Sequence, residues 1–200
     1  MPIPVENDVR LDVARVQEKF ADALLKVKHD RGETYLCVKK DRIADVVAYL
    51  KDDVDLAYDY FVECLGVDYS TWKFERDLEG RFEVVYNLFS TKHSQRLFLK
   101  VGVNEGETVP TLKNLFLGAE YPEREVWDLF GVVFAGNEQD ERFLLPDDWI
   151  GYPLRKEVPL GGEDVVFHDQ VRGPAVEDVM MPHAGESFEG KTGSEEISGR

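Results

Sequence analysis

Two β-like segments joined by a short turn constrain the fold of this 200-residue chain more than any other feature. Arg81 to Ser90 and Gln95 to Val103 are rich in the aromatic and aliphatic residues that favour strands. Only Thr91 to Ser94 separates them, so we expect the two strands to pair as an antiparallel hairpin. The chain is 43% hydrophobic and 12% aromatic, which is enough for a sizeable core around such a hairpin.

Two helices are predicted before the hairpin. Apolar residues at helical spacing predict one helix from about Arg10 to Lys28. Asp41 is predicted to cap the second helix, whose inner face carries Ile43, Val46, Val47 and Leu50.

A further strand is predicted at Thr34 to Lys39. Leu56 to Val67 fits either a helix or a strand, and we predict a strand around Tyr58 to Leu65. Thr108-Val-Pro110 is predicted to open a short helix. Runs of helices and strands in this order favour the α+β class, with an antiparallel sheet and helices packed on one face, over alternating βαβ units. We expect residues 1–135 to form the globular domain, 136–160 an extended proline-rich segment, and 161–200 an acidic C-terminal arm or tail.

The stretch from Glu120 to Leu160 has an unusual layout. A helix is predicted to start near Pro122 and to stop at Gly131, and a short apolar strand follows at Val132 to Phe134. The proline-rich segment (residues 136–160) then shows no sustained helical or strand period, although it contains several large apolar side chains. Prolines keep such a segment extended. It could cover an edge of its own sheet or lie across the surface of another protein.

This stretch resembles the signature of the thirty-kilodalton subunit of respiratory complex I, which is the C subunit of bacterial NADH-quinone oxidoreductase. The matching residues are Glu123-Arg124-Glu125, Asp128, Phe130-Gly131, Leu145-Pro146, Asp148-Trp149 and Gly151 through Lys156. The chain departs from the family pattern at Asn137 and Tyr152, where the family usually has His, and at Glu141-Arg142-Phe143, where it has a basic pair before Ile-Leu.

The resemblance implies a non-catalytic structural subunit of the peripheral arm of a proton-pumping NADH:quinone oxidoreductase. Such a subunit packs against the forty-nine-kilodalton subunit (the D subunit) and lies near the terminal-cluster subunit (the B subunit), on the cytoplasmic side of the cell membrane. The chain itself would hold no cofactor, because FMN and the iron–sulfur clusters belong to partner subunits. A reduced deazaflavin or ferredoxin stays open as the electron donor. The implied docking and shaping residues are Glu123, Arg124, Glu125, Asp128, Gly131, Pro146, Trp149, Gly151, Pro153, Arg155 and Lys156.

Charge and cysteine content exclude several classes of function. The net charge of −16 argues against direct binding to nucleic acid or to an anionic membrane surface. Cys37 and Cys64 are too few for a four-cysteine zinc or iron–sulfur site and are expected to be buried thiols. Met1 to Asp30 contains no unbroken apolar stretch, so we expect no signal peptide, and no run in the sequence is long enough to span a membrane.

The residues alone offer only a weak catalytic alternative. Asp147 and Asp148, together with a histidine such as His168, could hold Mg²⁺ or Mn²⁺ in a free-standing metal-assisted hydrolase. Adjacent acids more often cap a turn. The compact cationic pair Arg155-Lys156 could hold an anion, but it is rather expected to bind carboxylates of this chain or of a partner.

Overall fold

The computed structural model describes residues 5–6 and 9–158. In chain order its strands and α-helices are β1 (Val5–Glu6), β2 (Val9–Arg10), α1 (Leu11–Lys19), β3 (Leu24–Asp30), β4 (Glu33–Val38), α2 (Ile43–Asp52), β5 (Tyr60–Asp68), β6 (Phe82–Ser90), β7 (Gln95–Val103), β8 (Thr108–Pro110), α3 (Glu120–Phe130) and β9 (Val133–Ala135). Short 3₁₀ turns at Lys40–Arg42 and Leu117–Ala119 lead into α2 and α3.

A five-stranded sheet in the order β3-β4-β7-β6-β5 forms the centre of the fold. The predicted hairpin is confirmed, because β6 and β7 pair antiparallel from Phe82 opposite Val103 to Ser90 opposite Gln95. The predicted α+β class is confirmed as well. The sheet is mixed and not wholly antiparallel as expected, since β4 pairs with β7 in parallel while the other pairs are antiparallel. Strands β8 and β9 form a separate parallel pair.

Two predicted helices are wrong in part. The helix expected from Arg10 to Lys28 ends at Lys19, and Leu24–Asp30 is the edge strand β3, paired with β4 across the turn at Arg31-Gly32. The spacing of the apolar residues in Leu24–Asp30 suits either a helix or a strand, and pairing with β4 makes this stretch a strand. The short helix expected at Thr108-Val-Pro110 is strand β8, because it pairs with β9. Asp41 does not cap α2 directly; it lies in the preceding 3₁₀ turn.

The core lies between the helices and one face of the sheet. Its fully buried side chains come from both layers and include Val16, Leu36, Val46, Leu50, Val84, Tyr86, Leu88, Leu97, Leu99 and Val101. Gly66 lets α3 approach β5 closely, because a Cβ there would lie 2.7 Å from the Phe130 ring. This contact places the C-terminal end of α3, and the segment that follows it, beside β5.

The two cysteines are buried free thiols, as the sequence predicted. Burial raises the pKa of the Cys37 thiol to about 11 and raises that of Cys64 well above its usual value. Since the thiolate is the reactive form, neither cysteine is expected to react with iodoacetamide in the folded protein near neutral pH. Mass spectrometry should find both labelled only after unfolding in guanidinium. Rapid labelling of the native protein would contradict this assignment.

Candidate docking surface

The signature helix α3 ends at Gly131, as the sequence predicted. Gly131 is in the left-handed region with φ 80°, and its N–H donates to the Trp127 carbonyl over 2.8 Å. A Cβ at this position would lie 2.5 Å from the Tyr152 ring and 2.6 Å from the Arg155 guanidinium. Glycine is therefore required here both by the backbone conformation and by the close approach of the proline-rich segment.

Glu123 is buried and joins α3 to two other parts of the fold. Its carboxylate accepts hydrogen bonds from the Thr111 hydroxyl, from the Leu112 N–H over 2.8 Å and from the Asn137 amide over 3.0 Å. Burial raises the pKa of Glu123, and these hydrogen bonds oppose the rise. Asn137, at a position where the family usually has His, thus links the chain just after β9 to α3.

Asp128 is buried further along the same helix, and its carboxylate binds the backbone of the apolar residues Phe143 to Leu145. Its Oδ2 accepts from the backbone N–H groups of Leu144 and Leu145 over 2.8 and 2.9 Å, and more weakly from that of Phe143. Burial disfavours the charged carboxylate. The backbone donors and the Arg142 guanidinium outweigh that cost and lower the pKa of Asp128.

Arg142 completes this arrangement, although sequence reasoning did not select it. Its guanidinium donates to Asp128 Oδ1 and to the Asp128 carbonyl, both over 3.0 Å, and to the carbonyls of Trp149 and Gly151 over 3.2 and 3.0 Å. Because Arg presents donors in a fixed fork, one side chain closes the loop between residues 142 and 151 onto α3. In the sequence, Arg142 appeared only as the single cation left at the position of the family's basic pair, directly before the apolar residues Phe143 to Leu145.

Arg155 binds within the chain. Its Nε donates to the Phe130 carbonyl over 2.8 Å and its Nη1 to Glu105 over 2.6 Å. The guanidinium carbon lies 4.5 Å from the centre of the Tyr152 ring and 5.3 Å from that of Phe82. With a side chain only 13% exposed, Arg155 is placed to shape the segment.

The remaining predicted residues fall into two groups. Glu125, Pro146, Gly151 and Lys156 are exposed, whereas Arg124, Trp149 and Pro153 are half-buried. Arg124 donates to the Glu141 carbonyl over 3.2 Å and lies over the Phe143 ring, which stacks on Tyr121. Asp128, Gly131 and Arg155 of the signature are thus close to the C-terminal end of α3, whereas Glu123 binds Thr111 and Leu112, and the Lys156 N–H binds Asp68 at the end of β5.

Large apolar side chains remain exposed on the proline-rich segment. Ile150 is 96% exposed, Leu144 55% and Leu154 49%. The backbone beneath them is held by Asp128 and Arg142 at one end and by the Leu154 N–H bond to the Leu129 carbonyl at the other. The segment therefore packs on its own domain while presenting apolar side chains outwards.

The catalytic alternative receives no structural support. Asp147 and Asp148 are exposed, and His168 lies outside the described residues. Within residues 5–6 and 9–158, no three His, Cys, Asp or Glu side chains are grouped closely enough to hold a metal ion. None of the helices in this described part is long and apolar enough to cross a membrane.

Comparison with known proteins identifies the family. Residues 36–164 match the family described as respiratory-chain NADH dehydrogenase, 30 Kd subunit. The C subunit of NADH-quinone oxidoreductase from Roseiflexus castenholzii is 46% identical over 156 residues, which cover 78% of this chain and 86% of that protein. The corresponding protein of Geotalea uraniireducens is 38% identical over 153 residues, which cover 76% of this chain and 88% of that protein.

A solved structure shares the fold. It is titled as a trypsin-resistant fragment (1-134) of Nqo5 and is similar with a TM-score of 0.55 at 28% identity, covering 64% of this chain and 98% of the fragment. The match across residues 36–164, which include the signature around Asp128, agrees with the similarity to these relatives over most of their length. The chain therefore belongs to the family of the thirty-kilodalton subunit of respiratory-chain NADH dehydrogenase.

Proposed function

We propose that this chain is a structural, non-catalytic subunit that docks on the forty-nine-kilodalton subunit in the peripheral arm of a proton-pumping NADH:quinone oxidoreductase. In this role it supports electron transfer from NADH to quinone, while FMN and the iron–sulfur clusters are held by partner subunits. It lies near the terminal-cluster subunit, on the cytoplasmic side of the cell membrane. Membership of the family supports the assignment to this complex.

The observation that carries the docking role is an apolar surface on a preformed segment. Ile150, Leu144 and Leu154 are exposed, yet the backbone that bears them is tied to α3 by buried charged groups. A rigid segment loses little conformational freedom on binding, so its apolar side chains can contribute most of their burial energy to the interface. Isolated exposed apolar residues are common, but several on one ordered segment suit a protein partner.

The proposal divides the signature residues by role. Glu123, Asp128, Gly131 and Arg155 shape the surface, because their polar groups or close contacts are satisfied within the chain. The residues proposed to meet the partner are the exposed or half-buried ones, namely Arg124, Glu125, Pro146, Trp149, Gly151, Pro153 and Lys156.

The electron donor of the complex is proposed to be NADH. Relatives that are 46% and 44% identical to this chain are named as C subunits of NADH-quinone oxidoreductase. Their names favour NADH over the reduced deazaflavin or ferredoxin that the departures at Asn137 and Tyr152 left open. Isolation of the assembled complex and measurement of NADH:quinone reduction tests this point.

Trp149→Ala tests the docking surface. We expect it to weaken binding to the co-expressed forty-nine-kilodalton subunit by about 1–2 kcal/mol, since a half-buried Trp at the centre of an interface is a typical hot spot. Calorimetry or quantitative co-purification gives the affinity. Trp72→Ala is the matched control, because Trp72 is 54% exposed on the loop between β5 and β6 and lies outside the segment. Equal affinities of the two variants and the wild type would argue against this surface.

A further inference from the structure

The proline-rich segment has a second attachment point that lies far from the signature in sequence. Asp68, the last residue of β5, is buried, and its Oδ2 accepts from the backbone N–H of Lys156 over 3.0 Å. Its Oδ1 accepts from the Ser70 N–H over 2.9 Å. A carboxylate that accepts a backbone N–H fixes the position of the chain at that residue, since the bond holds the backbone itself rather than a mobile side chain.

Arg81, immediately before β6, reinforces the attachment. Its Nη2 lies 3.2 Å from Asp68 and also donates to Glu157, while its Nη1 donates to Glu105 over 2.9 Å. Glu105 in turn accepts from Arg155 over 2.6 Å. The three consecutive residues 155–157 are thus each bound to the same small cluster of Asp68, Arg81 and Glu105, which we name the rear anchor.

Attraction between carboxylates and guanidinium groups stabilises the rear anchor. The carboxylates of Asp68, Glu105 and Glu157 surround the guanidinium groups of Arg81 and Arg155. The hydrogen bonds from Lys156, Arg81 and Ser70 overcome the effect of burial and lower the pKa of Asp68 to about 2, so this carboxylate is charged at any physiological pH. Glu105 and Glu157 are more than half exposed, Asp68 is the buried carboxylate, and Arg81 contacts all three.

The segment is therefore held at both ends, and the rear anchor adds to the bonds that Leu154 and Arg155 make with the carbonyls of Leu129 and Phe130. Asp128 and Arg142 hold residues 142–151, and the rear anchor holds residues 155–157. Ile150 lies within the part that Asp128 and Arg142 hold, and Leu154 lies between that part and the rear anchor. Both side chains are exposed. Release of either end would let the segment sample other conformations, and the cost of ordering it would then oppose partner binding.

We propose that Asp68 and Arg81 are positioning residues for the docking surface, which they hold in its binding conformation before the partner arrives. The inference rests on the proposed docking function and extends it to two residues outside the signature. They act through the backbone of Lys156 and the side chain of Glu157, without contacting the partner.

The test compares Asp68→Ala and Arg81→Gln with the wild type in the full chain. The affinity for the purified forty-nine-kilodalton subunit is measured at a temperature where each variant is folded, together with hydrogen exchange of the peptide containing residues 153–158. Both variants should lose protection in this peptide while β6 and β7 stay protected, and Asp68→Ala should raise the Kd about fivefold or more, Arg81→Gln less.

Asp59→Ala is the control for general loss of stability. Asp59 precedes β5 and accepts from the Thr91 N–H over 2.9 Å, so its removal also breaks a carboxylate–backbone bond, at the opposite end of the same strand. It should leave the Kd and the exchange of residues 153–158 unchanged. Asp68→Asn, which keeps one carbonyl acceptor for the Lys156 N–H, should restore part of the affinity.

The possible failures are distinguishable. If the wild type binds the partner and Asp68→Ala binds equally well, the positioning role is overturned and the docking function stands. Unchanged exchange of residues 153–158 in both variants overturns it as well. If the wild-type chain does not bind the forty-nine-kilodalton subunit at all, the proposed function fails and the inference with it.

Discussion

Asp128→Ala is expected to lower the free energy of unfolding by about 3 kcal/mol. The substitution leaves the Arg142 guanidinium and the N–H groups of Leu144 and Leu145 without the acceptor that they share in the native fold. Breaking a buried ion pair by removal of one partner costs about 3–5 kcal/mol, and the lower end applies because the released loop can reach water. Equilibrium unfolding in urea, followed by circular dichroism, measures the change.

Glu125→Ala is the matched control for this experiment. Glu125 lies on the same helix but is exposed, so its replacement should change the free energy of unfolding by less than about 0.5 kcal/mol. The proposed docking function further predicts that the Asp128 variant loses affinity for the forty-nine-kilodalton subunit, because the backbone beneath Leu144 is no longer held. A stability equal to that of Glu125→Ala would show that the Asp128 carboxylate does not hold the loop.

Gly131→Ala is expected to cost about 2–3 kcal/mol through two separate effects. The backbone at Gly131 has φ 80°, which L-residues adopt at a cost of about 1 kcal/mol. The added Cβ would also lie 2.5 Å from the Tyr152 ring and 2.6 Å from the Arg155 guanidinium. Arg155 cannot move aside without losing its bonds to the Phe130 carbonyl and to Glu105.

Gly106→Ala separates the two effects. Gly106 has the same φ of 80°, but an added Cβ there would meet nothing within 4 Å. Its replacement should therefore cost only the backbone strain of about 1 kcal/mol. The difference between the two variants in urea unfolding measures the contact between Gly131 and the proline-rich segment. Equal costs would indicate that Tyr152 and Arg155 give way freely.

The sequence predicted those parts of the fold in which local preference and long-range pairing agree. Strands β6 and β7 were found because each is rich in β-forming residues and a short turn joins them. The end of α3 was found because Gly131 is required for a left-handed C-terminal residue. The resemblance to the family signature also pointed to Glu123 and Asp128, although it did not show which groups their carboxylates bind.

Segments with ambiguous periodicity could not be assigned from the sequence. The spacing of Leu24 and Val27 fits a continuation of α1, but Leu24–Asp30 forms an edge strand because β4 supplies its hydrogen-bond partners. In the same way, Thr108–Pro110 resembles the start of a helix, and only its pairing with β9 makes it a strand. Pairing energy outweighs the small differences in intrinsic propensity in both cases.

The α+β class, the central hairpin, the end of the signature helix and, through the signature, the family could thus be predicted from the sequence. The roles of Arg142 and Asp68 became apparent from the folded chain. A hydrogen bond between residues 68 and 156 depends on how α3 packs against β5, and no local pattern records that distance. The physical reason is that side chains such as these bind acceptors and donors that reach them only after the chain has folded.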